Sequence, residues 1–452
     1  MAMKPILDWS AYKDAGMGDA YADIPKSGDN FARAVAVCIN SRQCEKKGKG
    51  VMCPSFRVSD DPELSPGGRV RLLKQALNGE LSLADRALAE TMDLCLACKG
   101  CKRECENEVD MAMIKIEYLA QRYLTTSASL RTRLFAAMPL LLSRYPLLKK
   151  IIVWRNRSPQ LAKLGELLFA VDAGASLPEA SGQSFAQQSA QTGTNSASHS
   201  FHGEVVLLLD TFTKHFAPEH IKAAEQVLNR AGYRVFIAEA EAGEVSLCCG
   251  RTQLAHGLVE EAKANARRMI AALLPHVQAG RTVIGLEPAC LLAVRDDYRF
   301  LGLGETAETV ANAALLFEEF IAREAMAGRF KIAFQPSTAA EPLLIHGHCH
   351  QKAVGAMKSM RRVLKMIPDL KFEMIDSTCC GMAGSFGIEK EHAALGRAMA
   401  EESLLPALRA QPDSAIIANG FSCRHQIKSC EKRNAKHLAL LLSEQLPDGQ
   451  LP

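Results

Sequence analysis

The sequence predicts an α/β protein in which a helical, cysteine-rich N-terminal module precedes two tandem parallel α/β repeats. Its 15 cysteines fall into two sets, seven between Cys38 and Cys105 and eight between Cys248 and Cys430. After residue 200, short apolar segments alternate with amphipathic helical segments, which is typical of parallel α/β units. A Cys-Cys-Gly tripeptide occurs twice in this region, at Cys248 and again at Cys379. These observations indicate separate modules and an internal duplication.

Composition and charge exclude several classes of protein. A chain of 452 residues with 48% hydrophobic and 23% charged residues is long enough for two or three folded domains. The net charge of +4 is small for a nucleic-acid-binding protein, which normally concentrates basic residues on one face. The longest apolar run, residues 134–142, is far shorter than the roughly 20 residues that span a bilayer.

The first 25 residues contain acidic side chains and lack the apolar core of a secretory signal. A cytoplasmic protein is therefore expected, and a peripheral position at the inner face of the membrane is compatible with it. Cytosolic thiols are kept reduced, so the cysteines are poor candidates for disulfides. Clustered reduced cysteines usually bind metal or carry out redox chemistry.

The strongest local pattern is Cys95-x-x-Cys98-x-x-Cys101-x-x-x-Cys105, the spacing with which bacterial ferredoxins bind 4Fe-4S clusters. The last cysteine of such a run serves the other cluster, so the fourth ligand must come from elsewhere. Cys53, which precedes a proline, is the candidate. The sequence therefore predicts one 4Fe-4S cluster bound by Cys53, Cys95, Cys98 and Cys101. Nearby cations, namely Lys99, Lys102 and Arg103, could offset its negative charge.

The second run of this module is degenerate, with Ser41 where a middle cysteine would stand between Cys38 and Cys44. A second cluster could draw only on Cys38, Cys44 and Cys105 together with a ligand that is not cysteine. Three possibilities remain open for this second site, namely a 4Fe-4S cluster, a 3Fe-4S centre or no cluster. Zinc is the alternative for the whole module, but three cysteines at two-residue intervals favour iron–sulfur clusters.

These patterns divide the chain into five segments. They are a ferredoxin-like iron–sulfur module (30–125), a helical connector (126–172), a flexible linker (173–200), a first α/β repeat (201–330) and a second α/β repeat (331–445). The linker is assigned from its Ala, Ser, Gln and Gly content. The connector is apolar with interspersed Arg and Lys, and Pro139 and Pro146 should break it. It could dock on a partner or a membrane, although such helices more often pack on their own domain.

The two repeats share the order of their elements. Strands are predicted at 205–210, 233–238 and 282–286, and again at 342–349, 371–376 and 414–420. A Cys-Cys-Gly turn and a later single cysteine recur in both: Cys248, Cys249 and Cys290, then Cys379, Cys380 and Cys423. Glycine permits the tight turn that directs adjacent thiols to one metal centre, and a following helix N-terminus stabilises thiolates.

With these motifs the chain resembles the iron–sulfur subunits of glycolate oxidase and anaerobic glycerol-3-phosphate dehydrogenase. It is similar to the C-terminal half of fused FAD and iron–sulfur dehydrogenases of D-lactate or D-2-hydroxyglutarate, and more distantly to the heterodisulfide reductase B subunit. The stretches that carry the likeness include CLACKGCKRECENEVDMAMIKIEYLAQ, CCGRTQLAHGL, HGHCHQKAV, CCGMAGSFG and NGFSCRHQI. They extend over about residues 35–430.

The resemblance implies that a complete repeat, the CCG domain, binds a metal centre with five thiols. The second repeat supplies four of them, Cys349, Cys379, Cys380 and Cys423, which suffice for a further cluster or zinc. Gln426 stands in the place of the fifth. The first repeat supplies three, Cys248, Cys249 and Cys290, and has Asp210 at the early position and Ala293 at the last. Its metal binding should be weaker or absent.

Three histidines, His346, His348 and His350, flank Cys349 and could be ligands or proton relays. A histidine beside a cluster more often donates a hydrogen bond, and His425 is interpreted in the same way. Cys430 is expected to be a spare thiol on a polar helix.

The resemblance further implies an electron-transfer subunit without a catalytic site of its own. Electrons from FAD on a partner 2-hydroxy-acid oxidase, acting on D-lactate, glycolate or D-2-hydroxyglutarate, would enter the ferredoxin-like module. The electrons would then pass to a quinone or another carrier. A membrane surface is one possible location of this acceptor. FAD is expected on the partner, because no flavin-binding domain precedes the module. The alternatives are a CCG-type thiol or disulfide reductase and a zinc-stabilised scaffold.

Overall fold

The computed structural model describes residues 3–19, 21–48, 50–182, 201–240 and 244–447. An N-terminal helical part is followed by two four-stranded parallel sheets with helices around them. The predicted fold class, a helical cysteine-rich module before two tandem parallel α/β repeats, is confirmed.

The cysteine-rich module is built from short helices whose starts follow from local sequence. Proline begins α2 and α3, where the missing N–H costs no intrahelical hydrogen bond. Asp85 and Asp110 cap α4 and α6 by accepting hydrogen bonds from backbone N–H groups of the first turn. The helices are α1 Asp29–Ala36, α2 Pro54–Ser59, α3 Pro66–Leu77, α4 Arg86–Asp93, α5 Gly100–Glu104 and α6 Met111–Arg122. Short 3₁₀ turns cover Ser10–Tyr12, Gln43–Glu45 and Pro62–Leu64.

The connector forms three helices, α7 Leu130–Arg144, α8 Pro146–Arg157 and α9 Pro159–Phe169. The expected break at Pro139 is wrong, because this residue lies inside α7, which continues despite the lost hydrogen bond. These helices bury a few side chains against the rest of the chain, among them Ala136, Leu142 and Ala162, and leave large apolar side chains exposed. Trp154 is 64% exposed and Leu167 is 81% exposed.

The two sheets have the same topology, which is the expected result of a duplication. Their strand orders are β2-β1-β3-β4 and β6-β5-β7-β8, and every pairing is parallel. In the first sheet, Val206 stands beside Phe236 on one side and Val283 on the other. The strands are β1 Gly203–Leu208, β2 Tyr233–Ala238, β3 Thr282–Gly285, β4 Ala314–Leu316, β5 Leu343–Ile345, β6 Phe372–Met374, β7 Ile416–Ile417 and β8 Ala435–Lys436.

The six predicted strands are present, whereas β4 and β8 were not predicted. These two edge strands have three and two residues, too few to show a hydrophobic period. The helices of the first repeat are Thr211–Phe216, Glu219–Arg230, Arg251–Ala255, Val259–Gln278, Pro288–Arg295, Glu305–Asn312 and Phe317–Met326, with a 3₁₀ turn at Asp297–Leu301. Those of the second are Cys349–Ala353, Met357–Leu364, Ala393–Glu401, Leu404–Ala410, Phe421–Glu431 and Leu438–Glu444, with a 3₁₀ turn at Phe386–Ile388.

Hydrophobic cores join the modules. One cluster of buried side chains extends from the N-terminal helices into the first repeat, and another is shared by the two repeats. The start of the predicted linker packs on the second repeat, where Ala175 is buried. It is also held by the connector, because Asn156 Nδ2 of α8 donates to the Leu177 carbonyl at 2.8 Å. Residues 183–200 of that linker lie outside the described residues.

A buried histidine couples the second repeat to the cysteine-rich module. The His392 ring nitrogens lie 2.8 Å from Glu389 Oε2 and 3.0 Å from Asp93 Oδ2. Its ring stacks on Phe386 with centroids 4.3 Å apart. Burial alone would lower the pKa of His392, but the two carboxylates outweigh it and raise the pKa to about 9. Arg131 of α7 forms an ion pair with the same Glu389 carboxylate, with Nη2 3.6 Å from Oε2.

We predict that this contact makes stability depend on pH. A folded pKa of about 9 lies above the unfolded value near 6.5, so the stabilisation is complete below pH 6.5 and is lost as pH rises through about 9. In urea unfolding of the anaerobic protein, the difference between wild type and His392→Gln should shrink from pH 7 to pH 10. Lys436→Gln, at an exposed ion pair with Glu444, is the control. A difference that does not change with pH would contradict the assignment.

Candidate metal centres

The inner cavity brings Cys53 to the three cysteines of the distant Cys95–Cys101 run. It is lined by Cys53, Cys95, Cys98 and Cys101, and its volume, including the part open to solvent, is about 320 Å³. The run can curl around it because Ala97 and Lys99 adopt left-handed backbone conformations with φ of 50° and 60°. Gly100 permits the close approach of the strand-like segment before Cys53, since a Cβ there would lie 2.7 Å from the Val51 carbonyl oxygen.

A buried arginine supplies positive charge to this cavity. Arg69 is 1% exposed, and its Nη1 donates to Cys53 Sγ at 3.4 Å. Its other nitrogens donate to Ser55 Oγ at 2.8 Å and to the Thr91 carbonyl at 2.6 Å. Burial would lower the pKa of Arg69, but the neighbouring thiols, Cys53 first, outweigh it and raise the pKa. Four convergent thiols beside a buried cation fit a negatively charged thiolate-bound iron–sulfur cluster.

Two of the three cations proposed from the sequence are engaged elsewhere. Lys99 forms a buried ion pair with Asp297 of the first repeat, and Lys102 Nζ lies 2.9 Å from Asp110 Oδ2. Sequence reasoning missed Arg69, because it lies in α3, between Cys53 and the Cys95 run, in a segment without cysteine. A basic residue within an otherwise buried helical face was the available signal.

The outer cavity contains the remaining three cysteines of the module. It is lined by Cys38, Cys44 and Cys105, with Ser41, Asn40 and Glu106 among the polar residues, and its volume, including the part open to solvent, is about 520 Å³. Gly67 N donates to Cys44 Sγ at 3.4 Å. Pro66 lines both cavities, so the two centres share a wall. The three thiols are half-buried, whereas three of the four inner cysteines are buried.

The second repeat gathers its four cysteines at the carboxyl edge of the sheet. Their thiols interact in succession, from Cys349 to Cys379, then Cys380 and then Cys423. Gly381 has φ of 77°, and a Cβ there would lie 1.8 Å from the Gly396 carbonyl oxygen. Glycine is therefore required after the cysteine pair, as the sequence predicted. The hydrogen bond with Cys379, and then burial, raise the pKa of the Cys349 thiol.

The first repeat brings together three thiols, Cys248, Cys249 and Cys290. The resemblance placed Asp210 at the early ligand position, but the structure places Thr211 there. Asp210 caps its helix as His348 does in the second repeat, and Thr211 is the following residue, in contact with Cys248. Ala293 is buried and offers no donor.

The histidines near Cys349 have different surroundings. His350 Nε2 lies 3.2 Å from the Ala97 carbonyl oxygen in the ferredoxin-like run, and His348 Nδ1 accepts from His350 N at 3.2 Å. His346 lies with Cys380 and Cys423, with the three ligand atoms within 4.8 Å of one another. His425 Nε2 lies 2.8 Å from the Ser176 carbonyl oxygen, away from the thiols.

The inner cavity lies directly beside the second repeat. Cys349 and Cys379 are the thiols that, after burial, most strongly raise the pKa of Cys98. Lys352, a half-buried residue near these thiols, contacts Ser377 Oγ at 3.0 Å. Burial lowers the pKa of Lys352, and the four thiols of the repeat oppose that shift. The three centres therefore lie in the order outer cavity, inner cavity, second repeat.

Fold and cysteine geometry together define a class, an iron–sulfur protein with a CCG cysteine-rich domain. Residues 34–109 match the family model described as a 4Fe-4S dicluster domain, and residues 343–428 match that of the Cysteine-rich domain. These matches cover the ferredoxin-like module and the second repeat.

The homologues narrow this class. The D-2-hydroxyglutarate dehydrogenase of Escherichia coli (strain K12) is 23% identical over 87% of this chain and 42% of its own length. The glycolate oxidase iron-sulfur subunit of the same strain is 26% identical over 87% of this chain and 91% of its own length. One subunit of the anaerobic glycerol-3-phosphate dehydrogenase of that strain is 25% identical over 54% of this chain and 59% of its own length. The chain thus spans less than half the length of the D-2-hydroxyglutarate dehydrogenase. The resemblance expected from the sequence is confirmed. No solved structure matched the chain.

We predict that Arg69 is required by the inner centre. Arg69→Met should lower the iron content and the reduction potential of the remaining cluster, because a buried positive charge beside thiolates is lost. Removing one partner of a buried charged contact lowers the free energy of unfolding by about 3–5 kcal/mol. Iron and sulfide analysis with an EPR-monitored redox titration measures both effects. Arg86→Met, at an exposed ion pair with Glu90, should change neither; equal iron and potential in all three proteins would refute the prediction.

Proposed function

We propose that the protein is the iron–sulfur electron-transfer subunit of a flavin-dependent 2-hydroxy-acid dehydrogenase acting on D-lactate, glycolate or D-2-hydroxyglutarate. It receives electrons from a partner flavoprotein and passes them to a quinone or another carrier. The observation that carries the proposal is the pair of cysteine-lined cavities with a shared wall at Pro66. When bound, the clusters supply one-electron carriers.

The chain's own residues position and tune these carriers. The outer cavity, with its half-buried cysteines, is the side accessible to a flavoprotein. Arg69 places a fixed positive charge at the inner cavity, which favours the reduced form of a cluster there. Transfer from the outer to the inner centre then requires no movement of the chain, because the two cavities adjoin.

The names of the homologues support the choice of substrates. They include D-2-hydroxyglutarate dehydrogenase and the iron-sulfur subunit of glycolate oxidase, and the latter is matched over nearly its whole length. The partner would carry the FAD and the hydroxy-acid site.

A specific contact favours a second candidate, a CCG-type thiol or disulfide reductase. Cys349 and Cys379 lie next to Cys98 of the inner cavity, so electrons could reach the second repeat. This candidate requires disulfide reduction by the isolated, chemically reduced chain. The first candidate requires reduction of the clusters by a hydroxy acid in the presence of the flavoprotein.

The membrane surface is the proposed location of the acceptor, reached through the connector. None of the helices in the described ranges is long and apolar enough to cross a bilayer. Helices α7–α9 nevertheless expose large apolar side chains, namely Leu130, Leu140, Tyr145, Leu147, Ile151, Trp154, Leu164, Leu167 and Leu168. Residues 126–169 contain eight Lys or Arg and one Glu. Apolar and basic helices of this kind bind at the interface of anionic bilayers.

Cysteine replacements test the assignment of the clusters. Cys53→Ser should remove the EPR signal of the inner cluster and leave any outer signal, and Cys105→Ser should do the reverse. Cys430→Ser, at a half-buried cysteine far along the second repeat, is the matched control and should lose no iron. Reduction of the wild-type clusters by the partner flavoprotein and a hydroxy acid, followed by stopped-flow absorbance, tests the direction of transfer. If the protein contains no iron after anaerobic purification, the proposal is wrong.

Sedimentation with vesicles tests the connector. Replacing Lys149 and Lys150 with Gln should weaken binding to anionic vesicles by about 2 kcal/mol, roughly 30-fold, at about 1 kcal/mol per charge. Trp154→Ser should weaken it further through lost apolar burial. Met326→Ser, at a 68% exposed residue of the first repeat, is the control. Equal binding by all variants, or none by wild type, would argue against membrane docking.

A further inference from the structure

The second repeat has one fewer thiol than a full set of five, and no donor replaces it at the expected position. Gln426 stands there, buried in the helix Phe421–Glu431, and its Nε2 has no hydrogen-bond partner. An amide nitrogen is a donor of hydrogen bonds and a poor metal ligand. A nitrogen or sulfur ligand must therefore come from another part of the repeat.

His346 is placed to supply it. Its side chain is 1% exposed, and Nε2 is buried without a hydrogen-bond partner. A ring nitrogen of His346 and the sulfur atoms of Cys380 and Cys423 all lie within 4.8 Å of one another. An unpartnered buried nitrogen facing two thiols is costly to maintain unless a third species binds between them.

The other face of the imidazole is fixed as it is in metal-bound histidines. His346 Nδ1 lies 2.9 Å from Ser377 Oγ, and the His346 backbone N donates to the Ile417 carbonyl at 2.9 Å. Ligating histidines usually hydrogen-bond through their second ring nitrogen, which orients the ring and fixes the tautomer. Lys352, which contacts the same Ser377 oxygen, adds a positive charge next to the thiols.

We propose that His346 Nε2 is a ligand of a mononuclear, zinc-type metal ion in the second repeat, together with the thiolates of Cys380, Cys423 and Cys379. Cys379 completes four donors because its thiol contacts that of Cys380. Zinc bonds of about 2.0–2.3 Å place tetrahedral donors close together. The donor atoms of His346, Cys380 and Cys423, which lie within 4.8 Å of one another, suit one such ion. Cys349 is left beside Cys98. The assignment does not rest on the electron-transfer role.

X-ray absorption at the zinc edge tests the proposed ligation by His346. The sample is the full-length, anaerobically purified chain loaded with Zn²⁺. The wild type should show three sulfurs and one imidazole nitrogen. His346→Gln should lose the imidazole scattering and bind Zn²⁺ at least about tenfold more weakly, since even indirect partners of a ligand contribute that much. With His346→Ala, added imidazole should restore the nitrogen scattering. His425→Gln, a histidine of the same repeat that contacts a backbone carbonyl, is the matched control.

An all-sulfur shell in the wild type, or imidazole scattering that persists in His346→Gln, would overturn the proposal. So would zinc binding that is insensitive to Cys423→Ser, or no zinc bound at all. If the histidine variants fail to fold, the wild-type shell and the Cys423→Ser measurement still decide it. The iron content of the two cavities, measured in the same samples, reports separately on the electron-transfer role.

Discussion

Four thiols from two separate stretches of the chain converge on one largely buried cavity, and most of the remaining structure depends on this constraint. Burial raises the pKa of Cys98 and Cys101 well above the ordinary value, so thiolates there require compensation. Arg69 supplies part of it from inside the module. The segments that carry the ligands have little secondary structure of their own, and the tight approach at Gly100 keeps them together.

Buried charges then fix the module against both repeats. Lys99 pairs with Asp297 of the first repeat, and His392 of the second lies between Asp93 and Glu389. An arrangement that separated these partners would leave a buried charge without compensation, which is strongly unfavourable. The consequence of these contacts is geometric, because they place the inner cavity next to Cys349 of the second repeat.

The two repeats show how a duplicated site diverges while its scaffold is retained. Strand order and the Cys-Cys-Gly turn are the same in both, yet Thr211 and Ala293 leave the first repeat with three thiols. The second retains four and adds His346 beside two of them. A hydroxyl or a methyl group fits the space of a thiol at little packing cost, so the fold tolerates the loss of a ligand. The repeat that retains more donor side chains is the one that places Cys349 beside Cys98 of the inner cavity.

The sequence by itself determined the fold class, the order of elements shared by the two repeats and six of the eight strands. It also predicted that Cys53 approaches the Cys95–Cys101 run, and these cysteines line one cavity. These features follow from cysteine spacing and hydrophobic period, which are local properties that can be identified in the sequence without knowledge of tertiary contacts. Only the tertiary structure decided that Arg69 faces a thiol, that Thr211 rather than Asp210 follows the first strand at the ligand position, and that His346 is the histidine among the thiols. It also decided that the connector helices are exposed. The physical reason is that direction and burial of a side chain depend on which distant surfaces pack against it, and no local pattern encodes that packing.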